Sequence, residues 1–463
     1  MTLSSLSRWS ILPVEIQLAI TQHLDIKSLL SLSLVSHHSH TVCLPAIYNS
    51  VTLSSLTRLQ HFLDHVPVDH ALHIRALDVS TAANSPSTVA PTQEESSDAL
   101  GLILALTPRL RSLSLHLSTD LSRQAISSFS QLEQLTDLAV EPCRDAIHSS
   151  LSEPTVVGIA LATPNLKSLS ISRIARALPC PAGTWHSPPH HTPPPSDTRS
   201  CTTTDSDGGP YPAPSTLPSL FSIPSLRHLA IHNTFLGNPL FASADLAVRC
   251  KLESIEIGAF ENASPTENAR WGTCILQRVG SHLRNAVLSS GIIASADPLS
   301  LPALERVRLT PIFSPSHLPS TLRMLALASG CLRHIHVECL TVDLEDVCEE
   351  LSECVEHVNG GPYNLKLRVF PALEGDVLAE CPVTSDCVPV HSLDKNAQDA
   401  LSRLEDAFSS AGTPISIMGN NVLQQEDEEQ DWDDLTVVDE TAVGMEMKGT
   451  VVVEDPWAQV GIW

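Results

Sequence analysis

The sequence predicts an α/β chain: apolar helices at the front, then short strands alternating with helices, with a disordered insertion and an acidic tail. Three observations carry this. Apolar residues recur at helical spacing between Ile11 and Val35, a six-residue phrase returns from Ile74 to Val337, and proline-rich and acidic stretches interrupt and end the pattern.

The front helix begins at Pro13, whose fixed φ and missing amide hydrogen suit a first helical turn. Glu15 falls in that turn, where the helix dipole favours an anion. Ile16, Ile20 and Leu24 recur every fourth residue as one apolar stripe, with Val14 and Leu18 as a second beside it. Asp25 is placed to cap the next helix, in which Leu29, Leu30, Leu32, Leu34 and Val35 spread over more than half the circumference. Two short helices cannot hide that much apolar surface between them, and helices of this length are marginal alone in water. They need a third surface, from the rest of the chain or from another protein.

The run Leu12-Pro13-x-Glu15, the spaced Ile16, Ile20 and Leu24, the step Asp25-x-x-Ser28-Leu29-Leu30 and the ending Leu34-Val35-Ser36 resemble an F-box. Leu44-Pro45-x-Ile47-Tyr48 followed by Val51-x-Leu53 is similar to the continuation in many fungal F-box proteins. The resemblance implies a three-helix module over residues 8–50 that docks on a Skp-type adaptor and, through it, on a cullin-RING ubiquitin ligase. It implies that Leu12, Pro13, Glu15, Ile16, Ile20, Leu24, Leu29, Leu30, Leu34 and Val35 carry the contact. Ser36-His37-His38-Ser39-His40 departs from the family in being more polar than its usual third helix. A helical hairpin packed on its own domain is the alternative.

The repeated phrase has the form apolar-x-x-apolar-x-apolar. It begins at Ile74, Leu110, Leu135, Leu166, Leu226, Leu252, Leu304 and Leu332, with a weaker copy at Leu283. Its last three positions alternate as a strand does, one side chain in, one out, one in. The phrase resembles the strand portion of a leucine-rich repeat, and the spacing of its copies, about 20 to 36 residues with one gap of about 60, brackets that repeat's period. The resemblance implies an irregular leucine-rich-repeat solenoid over residues 51–422. Strands of a doubly wound domain also alternate with helices and stay open as a reading. The Asn expected three places after each phrase is missing, with Ser118, Cys143, Ile174 and Thr234 standing there.

The long gap coincides with residues 179–224, dense in Pro, Ser, Thr and Gly; such a stretch buries too little apolar surface to offset its ordering entropy and is expected to be a disordered insertion. A smaller loop of that kind is expected from Thr81 to Gln93. Leu344 to Val355 has apolar residues at helical spacing with carboxylates outside, and a last helix from Asp394 to Phe408 places Leu401, Leu404 and Phe408 on one face. Residues 423–463 read as an acidic disordered tail, because Glu426-Asp427-Glu428-Glu429 and Asp431-Trp432-Asp433-Asp434 repel one another without a base among them.

Composition narrows the function. A formal charge of −25, from 27 basic and 52 acidic residues, argues against nucleic-acid binding through phosphates. No apolar stretch of about 20 residues is present, so neither a membrane span nor secretion is expected, leaving cytoplasm or nucleus. The 12 cysteines lie singly and read as buried thiols. No phosphate-cradling glycine motif, His-Glu-x-x-His or Gly-x-Ser-x-Gly occurs, and the His37-His38-x-His40 and His186, His190-His191 groups imply no rigid metal site. The chain is therefore expected to be no enzyme and to need no cofactor or metal.

His334 and His336 alternate with Ile335 and Val337 and are expected on the exposed face of a strand. With Arg227, His228, Arg306 and Arg308 they are the candidate contacts for an unidentified protein target. The whole reads as the substrate-recognition subunit of a Skp-cullin-F-box ubiquitin ligase. The alternative is a leucine-rich-repeat scaffold or adaptor that acts outside a ligase.

Overall fold

The computed structural model describes residues 8–83, 92–143, 151–175, 216–234, 248–260, 263–293, 299–358, 364–371, 392–411 and 415–418, with Leu236, Phe241 and Val451–Val452 besides. After one helical turn at Arg8–Ile11, three helices follow: α1 (Val14–Thr21), α2 (Ile26–Ser33) and α3 (His37–Ile47). Their boundaries come from local chemistry. The Pro13 carbonyl accepts the amides of Ile16 and Gln17, the Asp25 carboxylate caps α2 by accepting the Ser28 amide at 3.0 Å, and the Ser36 hydroxyl caps α3 by accepting the Ser39 amide at 3.0 Å. The Ser28 hydrogen bonds also hold the Asp25 carboxyl below the usual carboxylate range.

The chain then builds one open parallel sheet. Its strands are β1 (Ser50–Leu53), β2 (Ala76–Ser80), β3 (Ser112–Leu117), β4 (Asp137–Pro142), β5 (Ser168–Ser172), β6 (His228–His232), β7 (Ser254–Ile257), β8 (Asn285–Leu288), β9 (Arg306–Leu309), β10 (His334–Leu340), β11 (Asn364–Phe370) and β12 (Ile415–Met418). Each pairs with the strand before and after it in this order. Every copy of the repeated phrase lies on one of these strands, and the registers are all in phase: Leu77, Leu113, Leu138, Leu169, Leu229, Ile255, Ala286, Val307, Ile335 and Leu365 form one continuous buried row.

One backbone device fixes that phase. Just before each of β1 to β9 a single carbonyl accepts two amides of the next strand's entrance: Arg75 O from Arg111 (2.8 Å) and Ser112 (3.0 Å), Lys167 O from Arg227 (2.7 Å) and His228 (2.9 Å), Glu305 O from Arg333 (2.8 Å) and His334 (3.1 Å). The same arrangement recurs at Asn49, Arg111, Thr136, Arg227, Glu253 and Arg284. A main-chain donor left unpaired in this interior would cost as much as a lost hydrogen bond, so the pattern holds each strand to its neighbour independently of side chains.

Helices on the inner side cover the buried rows. They include α4 (Leu56–His65), α5 (Gln93–Leu106), α6 (Arg123–Ser128), α7 (Glu153–Ala162), α8 (Pro265–Val279), α9 (Leu318–Ala328), α10 (Leu344–Val358) and α11 (Lys395–Ser410). The two expected C-terminal helices are α10 and α11, and Leu401, Leu404 and Phe408 of α11 are buried as their spacing requires. The resulting core is one cluster from Val51 to Phe408. Serine, threonine and cysteine take up the positions beyond the strands. Thr81 Oγ1 accepts the Ser118 amide at 2.8 Å while Ser118 Oγ donates to Thr81 O at 3.0 Å; Cys143 Sγ donates to His116 O, and Thr234 Oγ1 accepts the Ile174 amide.

Two boundaries are corrected. Of the segment expected to be disordered, 179–224, residues 216–224 belong to the fold: Leu217–Ser222 forms a 3-10 turn, and Leu217, Leu220, Phe221 and Ile223 are buried. Apolar residues at the end of that segment outweigh its prolines, whose fixed φ suits the first turn. Residues 179–215 lie outside the described residues, as does most of the tail; Val451–Val452 pairs in parallel with β1. The smaller loop does begin at Thr81, which follows the end of β2 and is buried, but it ends before Gln93, which starts α5 behind a capping box made by Thr92 and Glu95.

Candidate functional site

In α1 the usual amphipathic order is reversed. Gln17 and Thr21 face inward and are buried, while Ile16 and Ile20 face outward. Gln17 makes the reversal possible by satisfying its whole amide: Nε2 donates to Trp9 O (2.7 Å) and Leu12 O (3.1 Å), and Oε1 pairs with His38 Nε2 at 2.9 Å. Thr21 returns its hydroxyl to Leu18 O at 2.8 Å. A polar seam therefore joins α1 to α3, and the apolar stripes are left outside.

Among the described residues, the exposed large hydrophobics divide unevenly. Ile11, Leu12, Val14, Ile16, Ile20, Leu34 and Val35 crowd the first helices, while Val68, Leu102, Leu161, Ile312, Leu327 and Val342 are spread over the rest. Pro13 and Glu15 are exposed with them, and Leu24 and Leu30 are half-buried. Leu29 is corrected: it is 3% exposed and forms, with Cys43 and Ile47, the small interior of the helical module. Its spacing placed it on an apolar helix, but α3 occupies that side of α2, so it holds the module together and is not free for contact. Those three are the buried residues of the module's apolar cluster, beside buried Val42 and the buried polar Gln17, Thr21, Ser33 and Ser39, with Tyr48 packing on both it and the sheet's core. So small an apolar cluster fits a module that an outside surface completes.

Ile11, the most exposed apolar side chain in this group, and Gln17 are not singled out by the motif spacing. The signal for Gln17 was present in its spacing, since Gln17 and Thr21 make a polar stripe between two apolar ones. Nothing in spacing alone says which stripe faces in.

The histidines of α3 do separate things: His37 is exposed, His38 bonds Gln17, and His40 lies edge-on to His70 at 6.4 Å between centroids. Among the described residues no three His, Cys, Asp or Glu side chains converge as a metal site; His186, His190 and His191 lie outside them. No helix of the described residues is long and apolar enough to cross a membrane.

The candidate target contacts occupy the outer face of the sheet. Arg227 pairs with Glu253 at 3.7 Å and donates to Pro224 O and Leu226 O. His228, Arg306, Arg308 and His334 are half-buried. His336 is corrected from exposed to 3% exposed. Strand alternation sets its side of the sheet, but Arg308 and Lys366, in register on the two flanking strands, crowd it. Burial first, then the charges of Lys366, Arg368, His334 and Arg308, lower its pKa to about 3. Next to it Arg308 Nε donates to Glu338 Oε1 at 2.8 Å, with Glu338 side chain only 1% exposed. Burial pushes the Glu338 carboxyl up, against the pull of Arg308. Further along the face, His116 sits between Asp78 Oδ1 (3.1 Å) and Glu141 Oε1 (2.6 Å). Burial opposes its charge, but the two carboxylates prevail and raise its pKa to about 10.

The chain as a whole matches no curated protein. Its helical module does find a family: residues 9–54, from Trp9 on the polar seam through the end of β1, match the F-box-like family and form an F-box-like domain, a kind of domain that binds Skp-type adaptors.

Proposed function

We propose that the protein is the substrate-recognition subunit of a Skp-cullin-F-box ubiquitin ligase. The exposed apolar face of α1 and the α2 end docks on the adaptor, and the parallel sheet, as an irregular leucine-rich-repeat solenoid, offers its outer face to a target protein. The observation that supports this most is the reversed α1: it buries Gln17 and Thr21 and leaves Leu12, Ile16 and Ile20 bare. A stable chain does not keep such a stripe in water without a use, since contiguous exposed apolar patches mark interaction sites. The in-phase rows of strands, added one after another in chain order, support the repeat reading.

The protein contributes proximity and no bond chemistry, holding target lysines near a ubiquitin-charged enzyme carried by other subunits, in the cytoplasm or nucleus. The test is co-purification of the full chain with a Skp-type adaptor and a cullin. Recovery of both supports the ligase; recovery of the adaptor without the cullin favours a scaffold working outside it; recovery of neither rejects both.

A further inference from the structure

The shared carbonyls at the strand entrances also set side chains in a row along that rim of the sheet. Arg75, Arg111, Thr136 and Lys167 precede β2, β3, β4 and β5, and the main chain ties each to the one before. Arg111 N donates to Arg75 O (2.8 Å), Thr136 N to Arg111 O (2.9 Å) and Lys167 N to Thr136 O (2.8 Å). Arg111 and Lys167 are exposed and Arg75 is half-buried. Arg109, also exposed, joins them, because its carbonyl accepts Arg75 Nη1 at 3.2 Å. The row stops at β6, where Arg227 has Glu253 for a partner.

The four cations have no anion of their own. Besides Arg109 O, Arg75 donates to the neutral Gln134 Oε1 at 3.3 Å. Among the described residues, none of Arg75, Arg109, Arg111 and Lys167 has a carboxylate within 4.0 Å. They act on one another instead. Burial first, then the charges of Arg111 and Arg109, hold Arg75 below the usual arginine range. Burial and then Arg109 and Arg75 likewise lower the neighbouring His73, against the opposite pull of Asp69. Such a run stands out in a chain of 27 basic and 52 acidic residues.

The shape of the row selects its ligand. From β2 to β5 it covers three strand steps, about 14 Å at roughly 4.8 Å each, close to the length of four residues of extended chain at about 3.4 Å each. A single phosphate group reaches only one end of it. A nucleic acid carries its charges on past the row and over an acidic chain. A short extended segment with several carboxylates matches both the length and the sign, and arginine forks suit carboxylates. We propose that Arg75, Arg109, Arg111 and Lys167 form a docking site for an extended acidic segment, rich in Asp and Glu, of a partner protein. The inference does not rest on the ligase reading, because the row lies outside residues 9–54.

The probe is a fluorescein-labelled octa-glutamate peptide, titrated against the full-length chain at low and physiological salt. Binding to the parent should weaken as salt rises. Arg109→Gln, Arg111→Gln and Lys167→Gln together should weaken it about tenfold, since each exposed ion pair is worth up to about fivefold, and adding Arg75→Gln should weaken it further. A control of equal charge on the covering helices, Arg123→Gln, Arg270→Gln and Lys395→Gln, should bind within about twofold of the parent. Equal losses in the rim and control variants overturn the proposal, because net charge alone then accounts for binding. So does absence of binding to the parent at low salt. Tighter binding of a peptide whose one charged group is a phosphoserine, or of an eight-nucleotide single strand, overturns it in favour of a phosphate ligand. Thermal unfolding of every variant separates these outcomes from misfolding; if Arg75→Gln unfolds the chain, the triple variant, which changes only exposed side chains, decides.

Discussion

The exposed apolar face and the buried interior lie side by side in the F-box-like domain, and substitutions in each separate them. Ile16 is 48% exposed and Leu34 is 52% exposed, so the surface they still offer equals about one fully buried aliphatic side chain. Burying one is worth about 1.5–3 kcal/mol, so the double variant Ile16→Ala, Leu34→Ala should weaken adaptor binding about 10- to 150-fold. Leu29→Ala removes a side chain that is 3% exposed and packed on Cys43 and Ile47; it should cost about 2–5 kcal/mol of stability through the cavity it leaves. Calorimetric titration of the full chain with a recombinant Skp-type adaptor reads the first effect, and urea unfolding of the same samples reads the second. The reasoning fails if the double variant binds within twofold of the parent, or if it loses as much stability as Leu29→Ala.

Gln17→Ala strands the carbonyls of Trp9 and Leu12 and the ring of His38, and should lower the stability of the helical module by about 1–3 kcal/mol, seen as faster amide exchange in residues 9–47. Arg308→Met leaves Glu338 buried without its cation and should cost about 3 kcal/mol in urea unfolding at pH 7, while Arg308→Met with Glu338→Gln should recover a large part of it. His336 accepts a proton at about 3 when folded and near its ordinary 6.5 when unfolded, so the unfolded chain binds more protons between those values. Its contribution is complete above pH 6.5 and declines as pH falls toward 3, by about 2 kcal/mol at pH 5, and a His336→Gln chain should show a shallower acid slope.

The strands were legible because parallel strands covered on one face leave a two-residue alternation that spacing alone records. Leu113, Leu138 and Leu229 fall where the phrase puts them, down to the in-phase register. The front helices were legible as helices, and Asp25 caps α2 as its position implies. What spacing could not convey is what lies across from a residue. Leu29 within α2 and Leu34 at its C-cap are equally apolar, yet α3 covers the first and not the second. His336 alternates outward like His334, but long side chains of the next strands close over it. Where the repeated phrase lacks an Asn, Ser118, Cys143 and Thr234 hydrogen-bond main-chain groups beyond the strands, which the spacing did not convey.

The shared carbonyls at the strand entrances carry a consequence for how such a chain can change over generations. Neighbouring strands start 21 residues apart between Asn285 and Arg306 and 60 apart between Ser168 and His228, yet both pairs meet in the same alignment. Since β2 to β10 are each located by the main chain of the strand before, loops in the connecting segments can lengthen or shorten without disturbing the array, provided the helices that cover the core are kept. New surface can thus be grafted between any two strands while the framework underneath stays as it was.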